Sequence, residues 1–166
     1  NYVKKVVFPL EILPVVSFLA ALFHAFIGLV VWLVAYLIFF GAPPLTIFLL
    51  PLILLPYCFF LIGICWVIAS LGVFLRDVSQ FIGTLTTALM FLSPIFYPVT
   101  AFPEDYRLVL YLNPITTVVD EMRNVLFWGK TPAFLVIGIY WAVTFCVAWL
   151  GFAWFQKTRK GFADVL

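Results

Sequence analysis

The stretch ILPVVSFLAALFHAFIGLVVWLVAYLIFFGAPPLTIFLLPLILLPYCFFLIGICWVIASLGVFL, residues 12–75, decides the fold, because it runs for 64 residues without one aspartate, glutamate, lysine or arginine. A bilayer core about 30 Å thick asks for only about 20 apolar residues per helix. The run is long enough for two crossings. Its natural break is Gly41-Ala42-Pro43-Pro44, where two prolines lack the N–H that a helix needs and restrict the residue before each of them. The expected spans are therefore 15–40 and 45–73. The second carries Pro51 and Pro56 in its first half, which predicts a bend whose freed carbonyls are met by neighbouring helices or water.

Outward from this run, the charged residues fall into four islands: Lys4 to Glu11, the pair Arg76-Asp77, the stretch from Glu104 to Lys130, and the tail from Lys157. Two further charge-free runs, 78–103 and 131–156, have 26 residues each. With 66% hydrophobic and 10% charged residues, against about a quarter charged in soluble proteins, the chain reads as an all-α integral membrane protein surrounded by membrane lipid. Its 166 residues make a single membrane domain, with no linker long enough for a separate soluble one. Lys4-Lys5 is followed at once by Phe8-Pro9-Leu10-Glu11-Ile12-Leu13-Pro14, with no short apolar region and cleavage site, so no signal peptide is expected. A scattered net charge of +2 excludes nucleic acid as a partner.

The third span, 78–98, meets Ser93-Pro94 and then Pro98. Its regular helix of about fifteen residues rises only about 22 Å. The irregular end must complete the crossing, and irregular backbone is allowed at membrane depth only when buried in protein or lining a water-filled cavity. Residues 99–130 then read as a re-entrant helical hairpin. Its first helix opens at Pro103 with Glu104 and Asp105 in the first turn. Its second opens with the cap Asn113-Pro114, stops at Gly129, and sets Val119, Met122 and Leu126 on one face with Asp120, Glu121, Arg123 and Asn124 mostly on another. The fourth span is 131–156. Four spans put Lys4-Lys5, Arg76 and the basic tail on one side, and the hairpin, with three basic against four acidic residues, on the other. Basic residues favour the cytoplasm, so both termini are expected there and the hairpin outside.

Few side chains carry chemistry. Cys58, Cys65 and Cys146 lie in apolar runs without metal-binding spacing, and read as small buried residues; Cys58 and Cys65, two turns apart, are too distant for a disulfide. Gly129-Lys130-Thr131 ends like a phosphate-binding loop, but Asn124 stands where a glycine is needed. His24 reads as a neutral imidazole bridging helices rather than a proton relay. Asp120 and Glu121, adjacent on a helix, point about 100° apart and read as a solvated face rather than a catalytic pair. No catalytic residue set or metal site is expected. Phe91, Phe96, Tyr97, Phe102, Tyr106 and Tyr111 cluster around the broken helix. They suit an interfacial belt or the wall of a passage for a sugar or lipid.

The motifs Val3-Lys4-Lys5-Val6-Val7-Phe8-Pro9-Leu10-Glu11-Ile12-Leu13-Pro14, Val73-Phe74-Leu75-Arg76-Asp77-Val78, Leu92-Ser93-Pro94-Ile95-Phe96-Tyr97-Pro98, Leu112-Asn113-Pro114 and Gly161-Phe162-Ala163-Asp164 occur in an order that resembles the permease subunits of type 2 ABC exporters of polysaccharides such as O-antigen and teichoic acid. The resemblance implies that residues 1–14 are a cytoplasmic segment coupled to a separate ABC ATPase, with Phe8, Pro9, Leu10, Glu11, Ile12, Arg76 and Asp77 at that contact. It implies a gate or translocation path around Ser93, Pro94, Phe96, Tyr97, Pro98, Tyr106, Tyr111, Asn113 and Pro114. It also implies a second permease copy, a lipid-linked glycan cargo, a bacterial cytoplasmic membrane, and ATP and magnesium held by the partner rather than by this chain. Family members carry an amphipathic helix and two further spans ahead of this region, so the chain resembles the C-terminal two thirds of a permease. A membrane-embedded glycosyl or prenyl transferase, and an adaptor without transport activity, are the competing readings. The first would need acidic clusters near a membrane face for metal and pyrophosphate.

Overall fold

In a computed structural model that describes residues 10–75 and 77–162, the long apolar run folds into two helices joined at the expected break. Helix α1 spans Ile12–Phe40 and ends at Gly41, whose φ of +83° is unfavourable for any residue with a Cβ. It begins three residues earlier than expected. Pro14 lies in its first turn, where a missing N–H costs nothing, so Ile12, Leu13 and Pro14 belong to the helix and not to the segment before it. A 3₁₀ turn, Leu45–Leu49, leads into α2, Leu50–Phe74.

The two prolines of the second run have different fates. Pro51 stands in the first turn of α2 and breaks nothing, while Pro56 lies inside the helix. Without an N–H, Pro56 leaves the carbonyl of Leu52 without its helical donor. Trp141 Nε1 donates to that oxygen at 3.0 Å, so the orphan is met by a neighbouring helix.

Trp141 belongs to helix α6, Phe134–Thr158, which runs parallel to α2 along its whole length. Leu52 meets Trp141, Gly63 meets Ala148 and Gly151, Trp154 Nε1 donates to Ser70 Oγ at 2.8 Å, and the rings of Phe74 and Phe162 lie 5.7 Å apart. The residues α6 buries are Ile137, Thr144, Ala148, Gly151 and Phe155, at heptad spacing, and they face Pro56, Gly63 and Ser70, each seven residues from the last. Small residues let the backbones touch, which is how helices gain packing energy in lipid. A methyl group added at Gly63 would lie 2.8 Å from the backbone of Val147 and Ala148.

Helix α1 runs antiparallel to α2. Its first residues lie beside Trp66, whose indole donates to the carbonyl of Glu11 at 3.2 Å, and its far end reaches Phe127, 5.7 Å from Trp32 and 5.8 Å from Tyr36. Most of its side chains are exposed to the surroundings of the bundle, including Val16, Val31 and Ile38. His24 is among them: it contacts Phe23 edge-on and bridges to no other helix, contrary to the expectation. Cys146 is likewise exposed rather than buried, while Cys58 and Cys65 are half-buried, and all three thiols are free.

Three helical stretches are long and apolar enough to cross a membrane: Ile12–Phe40, Leu45–Phe74 and Phe134–Gly161. Helix α3, Val78–Leu92, is apolar and has the 15 residues expected of it. It is followed by the short helices α4, Glu104–Tyr111, and α5, Pro114–Leu126. Every regular element among the described residues is helical.

Candidate functional site

The last turn of α3 ends at Ser93-Pro94, which should leave its carbonyls without donors. Side chains supply them. Tyr97 turns back so that its hydroxyl donates to the carbonyls of Leu92 at 3.0 Å and Phe91 at 3.2 Å. Ser93 Oγ donates to the Leu89 carbonyl at 2.5 Å and accepts from Asn113 Nδ2 at 2.8 Å; the same amide nitrogen reaches Leu89 O at 3.3 Å. Asn113 is also the N-cap of α5, its Oδ1 accepting from the amide of Ile115 at 3.0 Å. One side chain therefore ties the end of one helix to the start of another. Arg123, on α5, completes the arrangement by donating through Nη2 to the carbonyls of Pro94 at 2.9 Å and Ile95 at 3.4 Å.

Helix α5 is itself fixed to the crossing helices. Thr46 Oγ1 donates to Val125 O at 2.6 Å, Tyr140 on α6 donates to the carbonyl of Pro114 at 3.1 Å, and Val118, Val125 and Leu126 join Leu50, Ile53 and Ile137 in the core. The buried face of α5 is thus set by Thr117, Val118, Glu121 and Val125 rather than by Val119, Met122 and Leu126 alone. Glu121 corrects the expected solvated face, for only 8% of it is exposed and its Oε2 has no hydrogen-bond partner. Burial pushes its carboxyl above the usual range, opposed by the Ala133 backbone and reinforced by the charge of Asp120. The helix closes at Leu126, three residues before Gly129, which adopts φ +59° in the turn that follows. Tyr111 donates to Asp120 Oδ2 at 3.1 Å, and its hydroxyl pKa is raised by burial and then by that carboxylate.

The six clustered aromatics do not form one wall. Tyr97 packs on Phe102 with ring centroids 5.2 Å apart, whereas Phe91, Phe96, Tyr106 and Tyr111 are exposed. Pro94 is fully buried, Pro98 is exposed and Pro114 is half-buried. An apolar groove of ≈ 760 Å³ lies elsewhere, between α1 and α2, lined by residues such as Phe18, Leu22, Phe26, Tyr57 and Leu61.

At the opposite end of the bundle, Glu11 precedes α1 and meets the tail of α6. Arg159 Nη1 lies 3.0 Å from both carboxylate oxygens, and Gln156 Nε2 lies 3.5 Å from one of them. A hydrogen bond from its own backbone amide, and then the Arg159 guanidinium, hold the Glu11 carboxyl below the usual range against the cost of partial burial. Leu10 and Ile12 flank it, and Asp77 lies at the start of α3, the N-cap position, where its side chain makes no capping bond. Phe8, Pro9 and Arg76 lie outside the described residues.

The family described as ABC-2 type transporter matches residues 1–127, three quarters of the chain. The chain belongs to the ABC-2 type transporter family. Two proteins from Klebsiella pneumoniae called O-antigen export system permease protein RfbA are 26% and 25% identical to it over 166 residues, and a protein of the same name from Myxococcus xanthus is 24% identical. Each alignment takes in 99% of this ABC-2 type chain but only 63–64% of the relative. The chain thus spans a little under two thirds of the length of these relatives.

In this ABC-2 type chain, the structure brings together Ser93, Pro94, Tyr97, Asn113 and Pro114 from the expected set, and leaves Phe96, Pro98, Tyr106 and Tyr111 outside that knot. Arg123, Tyr140, Thr46 and Arg159 were not singled out from the sequence. Arg123 carried one signal that was available: it is a cation on the second helix of the hairpin that follows a proline-broken segment with carbonyls to satisfy.

Proposed function

We propose that this chain is the membrane-spanning part of an ATP-driven exporter that moves a lipid-linked polysaccharide, of O-antigen, teichoic acid or capsule type, across the bacterial cytoplasmic membrane. Family membership and alignment with O-antigen export permeases over 99% of the chain support the class of cargo. On this reading the chain itself serves transport, as permease subunits do. Hydrolysis belongs to a separate ABC ATPase that brings its own ATP and magnesium, and a second permease copy completes the path.

The observation that carries the mechanism is the tied-off end of α3. Carbonyls of Leu89, Phe91, Leu92, Pro94 and Ile95 all accept from side chains, two of which, Asn113 and Arg123, come from α5. Polar backbone at membrane depth must be buried or face water. Side-chain hydrogen bonds from Asn113 and Arg123 satisfy the carbonyls of Leu89, Pro94 and Ile95 here, and water can take their place where the end of α3 parts from α5, so parting the two does not orphan the backbone. Such a segment suits a gate.

The topology follows. Helix α3 follows α2 in the chain and finishes against the hairpin, held there by Asn113 and Arg123. Its 15 residues with the irregular segment to Pro98 make a fourth crossing. The tail with Lys157, Arg159 and Lys160 lies at the end with Glu11, so that end faces the cytoplasm with both termini, and residues 99–130 form a re-entrant gate hairpin outside. Residues 1–14 with Arg76 and Asp77 are the ATPase contact, and Ser93 to Pro114 border the path.

Purification in detergent tests this reading. A stoichiometric ATPase subunit should accompany the full-length permease, and Phe8→Ala with Glu11→Lys should lower export while the ATPase keeps hydrolysing. Unchanged export by that variant overturns the coupling assignment.

A further inference from the structure

We infer that Arg159, with Gln156, is a positioning residue that fixes the coupling segment to the tail of α6, and that α6 carries the movement of that segment to the gate hairpin. The inference rests on the exporter reading above and adds to it the element that connects the two ends.

Glu11 is held from two helices at once. Its carboxylate takes Arg159 on both oxygens at 3.0 Å and Gln156 at 3.5 Å, and its carbonyl takes Trp66 Nε1 at 3.2 Å. These partners lie 148, 145 and 55 residues away in the chain. The ion pair is partly exposed, 23% for the glutamate side chain and 43% for the arginine, and pairs in such surroundings add little to stability. Its effect is geometric instead. The residue entering α1 cannot shift without moving Arg159 or breaking the pair.

Everything between Arg159 and the hairpin is stiff. Helix α6 runs unbroken from Phe134 to Thr158 with no proline inside, and its backbone touches α2 at Gly63 and Gly151. Near its other end, successive residues grip separate elements: Tyr140 holds the first residue of α5 through the Pro114 carbonyl, and Trp141 holds α2 through Leu52. Pro114 follows Asn113, whose side chain closes the end of α3. A tilt of α6 driven at Arg159 therefore reaches the gate through the Tyr140 to Pro114 hydrogen bond and through Ile137, which packs in the core that α5 shares.

The test uses the full-length permease with its ATPase in proteoliposomes, with all its native cysteines, Cys58, Cys65 and Cys146 among them, replaced by serine and a reporter thiol introduced by Phe96→Cys at an exposed gate position. Labelling of that thiol is measured with and without ATP. Arg159→Glu should leave ATPase co-purification intact and cut the ATP-dependent change in labelling by roughly five-fold, within the range by which residues between coupled sites modulate coupling. Arg159→Lys, which keeps a cation beside the unchanged Glu11 carboxylate, should retain most of the response. If Arg159→Glu does not accumulate, Arg159→Gln carries the same comparison without reversing the charge. Full labelling response in Arg159→Glu, or a loss as large in Arg159→Lys, overturns the inference. Failure of the ATPase to co-purify with the parent protein refutes the exporter reading itself, which the two outcomes keep distinct.

Discussion

Replacing Trp141 by phenylalanine removes the side-chain N–H that reaches the Leu52 carbonyl among the described residues, and Pro56 has none to offer in its place. A buried polar group left without a partner costs about 1–3 kcal/mol. Interhelical hydrogen bonds in membranes average about 0.6 kcal/mol with a maximum of about 1.7, because an alternative partner is often found. Here the usual alternative, the amide four residues on, does not exist, so the loss should lie near the top of that range, about 1.5 kcal/mol. Phenylalanine keeps much of the edge-on contact with Phe59, whose ring centroid is 5.8 Å from that of Trp141. Pro56→Ala gives the helix back its N–H, and Trp141→Phe should then cost only the smaller ring, about 0.5 kcal/mol. The smaller ring costs the same in both backgrounds, so the coupling between the two sites is the hydrogen-bond loss itself, about 1.5 kcal/mol, well above the scatter of about 0.3–0.5 kcal/mol seen for independent sites. Reversible unfolding in mixed detergent and SDS micelles, followed by tryptophan fluorescence or circular dichroism, measures all four proteins of the cycle. Additive effects would refute the claim that Trp141 stands in for the missing amide.

Gly151→Ala places a methyl group against the backbone of Gly63, 2.8 Å from its carbonyl carbon, where nothing flexible can yield; parting α2 from α6 should cost about 1–3 kcal/mol and lower the melting temperature in detergent, and an unchanged melting temperature refutes the close packing. Arg123→Met keeps the aliphatic stem but orphans the Pro94 and Ile95 carbonyls, a loss of about 1.5–3 kcal/mol for a charged donor. Faster thiol labelling of Ile95→Cys in that background is the expected result, and equal rates count against a latch. For Glu121 the folded-state pKa is raised from 4.5, so the protonated form favours folding, and that contribution fades as pH rises through the folded pKa. Glu121→Gln should accordingly raise the melting temperature near neutral pH, with the gain shrinking as pH falls towards 4.5; a gain independent of pH contradicts burial of an ionisable group.

The parts legible in the sequence were those set by the solvent and by local backbone chemistry. A 64-residue run without charge can only sit in lipid, and Gly41 to Pro44 can only break it. Asn113-Pro114 reads as a helix start because an amide side chain and a proline both suit that position, and the cap formed as expected. Pro56 announced an orphan carbonyl for the same reason. The burial of Glu121 was not legible, since periodicity assigns a face from the majority of its residues, and α5 has polar residues on both sides. The outward direction of His24 and Cys146 was equally hidden, because in lipid an apolar run carries no mark of which side meets protein.

What the sequence determined by itself is therefore the solvent of each segment, the helix boundaries to within a few residues, and the places where the backbone would lack partners. Which partners came was decided by tertiary structure. Leu52 takes Trp141, 89 residues away, the end of α3 takes Asn113 and Arg123, and Glu11 takes Arg159. The physical reason is that a missing donor is a local property of proline and helix ends, whereas its replacement depends on which helices lie side by side. That was settled by the seam of Gly63 and Gly151, whose small size lets α2 and α6 come close enough in register for the rest to meet.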